Sequence, residues 1–296
     1  MSDSDRRRNI GVLYILIAGS LWGALGPISK AAFAEGVSPP AVAFWRALFG
    51  WLFFVIHAGA RRSLAIDRRD IPAVIAFALV SVSGFFGSYQ IAIHFGGAAR
   101  ASVLLYTAPA WVAIMAVVIL KERIRVRTVV SVVVAIVGVA LISLSGTGEG
   151  RLEGANPVIG IVFGLISGFT YALYYIAGRR LLERYPPLTL FSWILVIGAA
   201  GLLPFVSVRI PSVRAALVLL LIGFATTYCA YVTYSLGLMR LRSSQAAVIA
   251  TFEPVVAAVL AYFFWDEYLG LGGYLGAVLV ITGVVIQSLP SRRGVS

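Results

Sequence analysis

Two ionisable side chains stand alone in long apolar stretches of this chain: Arg46 in AVAFWRALFG and Glu253 in IATFEPVVAA. A guanidinium presents a fork of donors that fits a carboxylate. A carboxyl group can carry a proton or hold an amine. Around these charges, aromatic and hydroxyl residues recur at i, i+4, i+7, a spacing that puts each set on one face of a helix. The sets are Trp22, Gly26 and Ser29; Ser102, Tyr106 and Pro109; Ser167, Tyr171 and Tyr174; and Thr227, Tyr231 and Tyr234. Rings and hydroxyls arranged in this way suit a small molecule with a large apolar side chain and polar ends. For any one of these tyrosines, helix packing and an interfacial aromatic belt are the commoner explanation; four sets in matched helices are what point to a cavity.

Other chemistries lack their residues. His57 and His94 have no paired ligands at metal spacing. Cys229 is the single cysteine, so neither an internal disulfide nor a multi-cysteine centre can form. No G-x-x-x-x-G-K-[ST], G-x-S-x-G or H-E-x-x-H motif occurs. Asp266-Glu267, the nearest approach to an acidic catalytic pair, has no histidine beside it. No cofactor is implied, and no enzyme is expected.

The elements that must position these residues are membrane helices. Of 296 residues, 60% are hydrophobic and 12% charged, and the mean hydropathy is +0.95. A soluble chain has about twice that charge. This composition excludes a cytosolic enzyme and a disordered chain. Thirty glycines without a triplet period exclude collagen. Almost continuously apolar runs such as 73–80 and 129–142 exclude an outer-membrane barrel, whose strands alternate. Ten segments approach the ~20 residues that a bilayer requires: 10–33, 39–59, 71–95, 98–120, 128–145, 157–178, 188–208, 213–238, 243–264 and 270–289. Arg6-Arg7-Arg8 before the first run imitates a signal peptide, but the run is too long and closes on no cleavage site. It reads as a retained helix.

The net charge of +12 would suggest nucleic acid in a soluble protein. Here it follows loop polarity, and no nucleic acid is expected. Eighteen of the 24 Lys and Arg fall on one side of the ten spans, against Arg100, Arg151, Arg209 and Arg214 on the other. Basic loops stay cytoplasmic, so both termini are expected inside, as an even span count requires. Lys30 and Arg46 lie within or at the rim of spans. Arg46 falls about seven residues into the second span, ~10 Å deep, and Glu253 about ten into the ninth, ~15 Å. Lys30 falls near the outer rim, where a lysine snorkels. Arg46 can hold a substrate carboxylate, pair with Glu253, or snorkel to the interface. Glu253 can respond to protons, hold an amine, or tie up backbone freed by Pro254.

The sequence repeats. Residues 89–145 align without a gap onto 234–290, matching Tyr89 with Tyr234, Pro109 with Pro254, Glu122 with Glu267 and Gly138 with Gly283. Upstream, Trp22 falls on Tyr171, Lys30 on Arg179, and Pro39-Pro40 on Pro186-Pro187. The expected organisation is a cytoplasmic N-terminus (1–9), a first five-helix repeat (10–147), a second (156–290) and a cytoplasmic C-terminus (291–296). An odd number of helices per repeat forces the second copy to enter from the opposite side. Inverted repeats of this kind characterise transporters with a midplane site. Pro109 and Pro254 break the fourth and ninth spans at matched places and free the carbonyls of Leu105 and Ala250. Such breaks serve as plain kinks or as ligand contacts. The fifth and tenth spans carry few polar residues and are expected at the periphery.

Tyr89–Ile124, with Pro109 midway and Lys121-Glu122-Arg123 at its end, resembles the EamA module. So does Leu236–Glu267, with Phe252-Glu253-Pro254-Val255 midway and Asp266-Glu267 at its end. Trp22-Gly23, Lys30 and Arg46 fit the same pattern. The resemblance covers nearly the whole chain and points to the drug/metabolite transporter superfamily, most of all to YddG-type exporters of aromatic and other amino acids. It implies an inner-membrane secondary transporter with alternating access through a central cavity. Its candidate substrate residues are Trp22, Arg46, Tyr89, Tyr106, Tyr171, Tyr174, Tyr231, Tyr234 and Glu253. A same-fold exporter of another metabolite or drug is the alternative, and a membrane-bound enzyme the remaining one.

Overall fold

The computed structural model describes residues 3–96, 104–121, 124–144, 156–209, 212–265 and 270–289, and its regular structure is helical throughout. Among the described residues, eight helices are long and apolar enough to cross a bilayer, and the shorter Ala108–Val118 and Val126–Ile142 complete ten. Proline occupies the first turn of Pro39–Ala60, Pro157–Leu182 and Pro187–Leu202, where its missing N–H costs nothing. The side chains of Asn156 and Ser212 cap the sixth and eighth spans by accepting from Ile159 N and Ala215 N. Large apolar side chains such as Phe263, 72% exposed, face outward, as lipid-facing residues do.

Several spans are not continuous α-helices. The first is Asp3–Gly23 followed by Leu25–Ala34, with a bend at Ala24. The third runs Ile71–Ala78, then a π-helical stretch Leu79–Gly84, then Phe85–Gly96. The eighth has the same plan: Val213–Leu221, the π stretch Ile222–Cys229, then Ala230–Leu238. The repeat offset carries 79–84 into 222–229, so the two π stretches are counterparts. The ninth span is Ser243–Ala250 and Glu253–Trp265, separated by a turn at Thr251–Phe252. The fourth has the matching turn at Tyr106–Thr107 before Ala108–Val118. The prolines therefore break both helices, as expected. Val126–Leu144 and Leu271–Ser288, the fifth and tenth spans, complete the two halves.

Packing obeys the exchange of halves. The second span packs on the seventh, the fourth on the ninth and the fifth on the tenth, each pair being its own counterpart. The third on the sixth corresponds to the eighth on the first, and the fourth on the sixth to the ninth on the first. The chain is an all-helical integral membrane protein of two inverted five-helix repeats. The fifth and tenth spans pack chiefly on each other, at the edge of the bundle. There a Cβ on Gly138 would lie 2.7 Å from the Gly276 carbonyl, and one on Gly276 2.4 Å from the Gly138 carbonyl. Only glycine permits that backbone approach.

Arg100, Ser102, Glu122, Arg123, Arg151, Asp266, Glu267, Arg292 and Arg293 lie outside the described residues, as do the side chains of Lys30 and His94.

Candidate functional site

Rings from five spans meet in the bundle centre. Trp22 of the first span lies 5.4 Å from both Tyr231 and Tyr234 of the eighth, centroid to centroid. Tyr174 of the sixth lies 5.5 Å from the same two tyrosines. Phe191 of the seventh stacks on Tyr231 at 4.9 Å, and Phe77 of the third stacks on Tyr174 at 5.6 Å. Tyr175 abuts Tyr234 at 5.4 Å and links to Tyr171 through a 3.4 Å hydroxyl contact. Tyr171 in turn stacks on Phe85 at 4.9 Å. Within this cluster the Trp22 Nε1–H, the Tyr174 and Tyr234 hydroxyls and the Ser235 hydroxyl are buried and find no partner among the described residues. A buried donor without an acceptor costs about 1–3 kcal/mol, and native proteins keep few of them.

Next to the rings lies the carboxyl. The turn at Thr251–Phe252 makes Glu253 the first residue of a new helix, inside the bundle instead of midway along a rod. The Tyr106 hydroxyl, from the matching turn of the fourth span, donates to the Glu253 carboxyl. Tyr89 lies within reach of the same charge. Neighbouring hydroxyls close both breaks: Thr107 donates to the Leu104 carbonyl and Thr251 to the Val248 carbonyl, each at 2.6 Å. Glycines of the neighbouring spans back onto them. A Cβ on Gly168 would meet the Leu104 carbonyl at 2.7 Å and the Leu105 carbonyl at 3.2 Å. Its repeat counterpart Gly19 faces the Ala250 carbonyl at 3.6 Å, and a Cβ on Gly23 would stand 2.7 Å from the Glu253 carbonyl. Protein therefore covers the backbone freed by Pro109 and Pro254.

Arg46 is buried and does not snorkel. Its Nε donates to the Thr227 hydroxyl at 3.2 Å and its Nη2 to the Thr226 carbonyl at 3.4 Å, both in the eighth-span π stretch. The guanidinium lies over the Phe86 ring at 5.3 Å. Gly50 admits this contact, since a Cβ there would be 2.4 Å from the Thr227 methyl. Among the described residues the ion pairs are Arg179–Glu183, Arg184–Asp70 and Arg214–Glu35, so Arg46 and Glu253 are not paired. Tyr231 feels both of their charges.

The residues singled out from sequence thus fall into one connected group. Trp22, Tyr171, Tyr174, Tyr231 and Tyr234 form the ring cluster; Tyr89, Tyr106 and Glu253 form the carboxyl cluster; Arg46 stands at its edge. Pro109 lines a central void with Tyr106, Tyr171 and Tyr175, while Pro254 is buried in the ninth span. That void measures about 10 Å³, room for one water at most. The expected central cavity is in this conformation filled by the rings themselves. Phe77, Tyr175, Phe191 and Thr226 were not foreseen; the phenylalanines carry no polar mark to distinguish them from lipid-facing ones. Arg179, counterpart of Lys30, donates to the carbonyls of Leu238 and Leu241 and ties off the eighth span. His57 lies 2.5 Å from the Tyr228 hydroxyl through Nδ1.

Two inverted repeats around a buried aromatic and charged centre define a multi-pass membrane carrier. The chain belongs to the EamA-like transporter family, whose model matches residues 9–144 and 158–289. An uncharacterized transporter of Archaeoglobus fulgidus is 31% identical over 84% of this chain and 88% of its own. The uncharacterized transporter YwfM of Bacillus subtilis is 26% identical over 96% of each chain. The uncharacterized inner membrane transporter YicL of Salmonella typhimurium is 24% identical over 96% of each. A solved crystal structure at 19% identity superposes with a TM-score of 0.79 over 93% of this chain and 95% of its own, which establishes the shared fold. The family is one of transporters, not of enzymes.

Proposed function

We propose that the protein exports neutral amino acids with large side chains, aromatic ones among them, across the inner membrane by alternating access. One observation carries this reading: a cluster of rings holding unpartnered N–H and O–H groups lies beside a cation and a carboxyl that do not pair with each other. The rings suit an aromatic or large apolar side chain. Arg46 suits a carboxylate and Glu253 an ammonium. Nearly balanced intramembrane charge favours a zwitterion over an anion, which would want several cations. The resemblance to YddG-type exporters points the same way. The rings pack on one another in the present conformation, so substrate enters only when the sixth and eighth spans part. Rocking of two exchangeable repeats supplies that motion.

Reconstituted protein is expected to take up radiolabelled phenylalanine or tryptophan, with unlabelled aromatic amino acids competing. Cells that express it should tolerate toxic aromatic analogues better than cells without it. Uptake of an unrelated metabolite with none of any amino acid would overturn the substrate and leave a same-fold carrier of other cargo.

A further inference from the structure

At the arginine-rich end, away from the rings, lies a cavity of about 330 Å³. Six arginines line it, Arg8, Arg125, Arg127, Arg179, Arg240 and Arg242, with no carboxylate in the wall among the described residues. They come from four places in the chain: the start of the first span, the start of the fifth, the end of the sixth and the turn between the eighth and ninth. Loop polarity accounts for arginines at this end. It does not account for their convergence, because like charges repel and exposed loops can keep them apart. Arg8 and Arg125 both act on Arg127 in this way.

Helix ends hold several of them in place. Arg127 Nη1 donates to the Leu289 carbonyl at 2.9 Å, and Arg8 Nη1 to the same oxygen at 3.4 Å. Arg179 Nη1 donates to the Leu238 carbonyl at 3.1 Å. Arg8 Nη2 also donates to Asn9 Oδ1, and Arg179 also reaches the Leu241 carbonyl and the Glu183 carboxylate, but a guanidinium has five N–H donors, so each of the three keeps N–H groups outside these bonds. The Nε–H groups of Arg8 and Arg127 are buried without an acceptor among the described residues. An acceptor with several negative oxygens would satisfy them.

We propose that this cavity binds a phosphate-bearing anion in the forks of Arg8, Arg125, Arg127 and Arg179. Phosphate oxygens match guanidinium forks two at a time, and the volume suits a headgroup or a small organic phosphate. The phosphate can belong to an anionic lipid, since basic pockets between spans take such headgroups, or to a soluble molecule. The cavity shares no residue with the aromatic centre, so the proposal stands independently of the cargo.

The test is the thermal unfolding midpoint of the delipidated, full-length protein in detergent. Inorganic phosphate and phosphatidylglycerol are titrated against chloride at matched ionic strength and against phosphatidylcholine. A rise with phosphatidylglycerol alone assigns the site to lipid; a rise with both assigns it to the phosphate group from either source. Arg8→Gln and Arg127→Gln should each raise the half-saturating concentration about tenfold. Arg61→Gln with Arg62→Gln, at the same end but outside the cavity wall, should leave it unchanged. If losing the Leu289 bond unfolds Arg127→Gln, Arg125→Gln provides the same readout without touching that carbonyl. Equal stabilisation by chloride and phosphate, or equal loss in the Arg61/Arg62 variant, would overturn the proposal.

Discussion

At the scale of single residues, the unpartnered hydroxyls separate substrate binding from stability. Tyr174→Phe or Tyr234→Phe removes a buried group that bonds to nothing among the described residues. Neither change should shift stability by more than about 0.5 kcal/mol. Where the hydroxyl contacts the cargo, KM for uptake should rise about tenfold with kcat little changed. Thermal unfolding and uptake kinetics on the same preparation read both quantities; a large loss of stability would show that the hydroxyl serves the fold. Arg46→Lys keeps the charge and loses the fork that reaches both Thr227 and Thr226. Uptake should fall about tenfold or more, whereas a lysine that transported normally would exclude forked recognition. Glu253→Gln keeps the shape and the Tyr106 contact but not the ionisation. Export by this variant should be slower and flat across pH 5–8; export at the parental rate throughout would assign Glu253 to structure alone. The sequence already singled out these residues, because charge in an apolar run is conspicuous. It left open whether Arg46 pairs with Glu253. That depends on two helices far apart in the chain, and no periodicity reports on it.

At the scale of elements, close helix approach is where stability is concentrated. Gly276→Ala would drive a Cβ to 2.4 Å from a backbone oxygen of the fifth span. Backbone cannot rotate away as a side chain can, so the cost should be about 1–3 kcal/mol. Gly59→Ala, with nothing within 4 Å, provides the control and should be neutral or slightly stabilising. Both are read from unfolding in detergent. Span limits, the proline breaks and the peripheral fifth and tenth spans were legible from hydropathy and from the repeat. The π stretches were not. Phe77 and Phe85 both face the tyrosines of the sixth span, although eight residues of ideal helix would set them about 80° apart at 100° per residue. The extra residue of the π stretch between them returns them to one face. A search for 3.6-residue periodicity therefore loses the third span's contribution to the site.

At the scale of the whole molecule, the arginine bias predicts an orientation with both termini inside. Cys229→Ser gives a cysteine-free background, since Cys229 is the single cysteine. A cysteine placed at Glu149, between the two halves of the sequence, should label with an impermeant reagent from outside intact cells. One placed at Arg62 should label only after permeabilisation. The reverse pattern would invert the proposed topology.

The exchange-matched packing has one more consequence. The halves meet mainly through helix faces, with side-chain contacts such as Arg184–Asp70 and Arg214–Glu35 at helix ends, and the covalent link between them is the single connection 145–155. The three pairings that exchange with themselves, second with seventh, fourth with ninth and fifth with tenth, join one half to the other. The glycine seam of the last pair gives them a close-fitting joint. A gene cut within that connection should therefore give two polypeptides that find each other in the membrane and restore uptake by fragment complementation. Blocking the seam with Gly276→Leu should abolish that rescue, while costing the uncut chain far less, because its connection keeps the partners at high effective concentration.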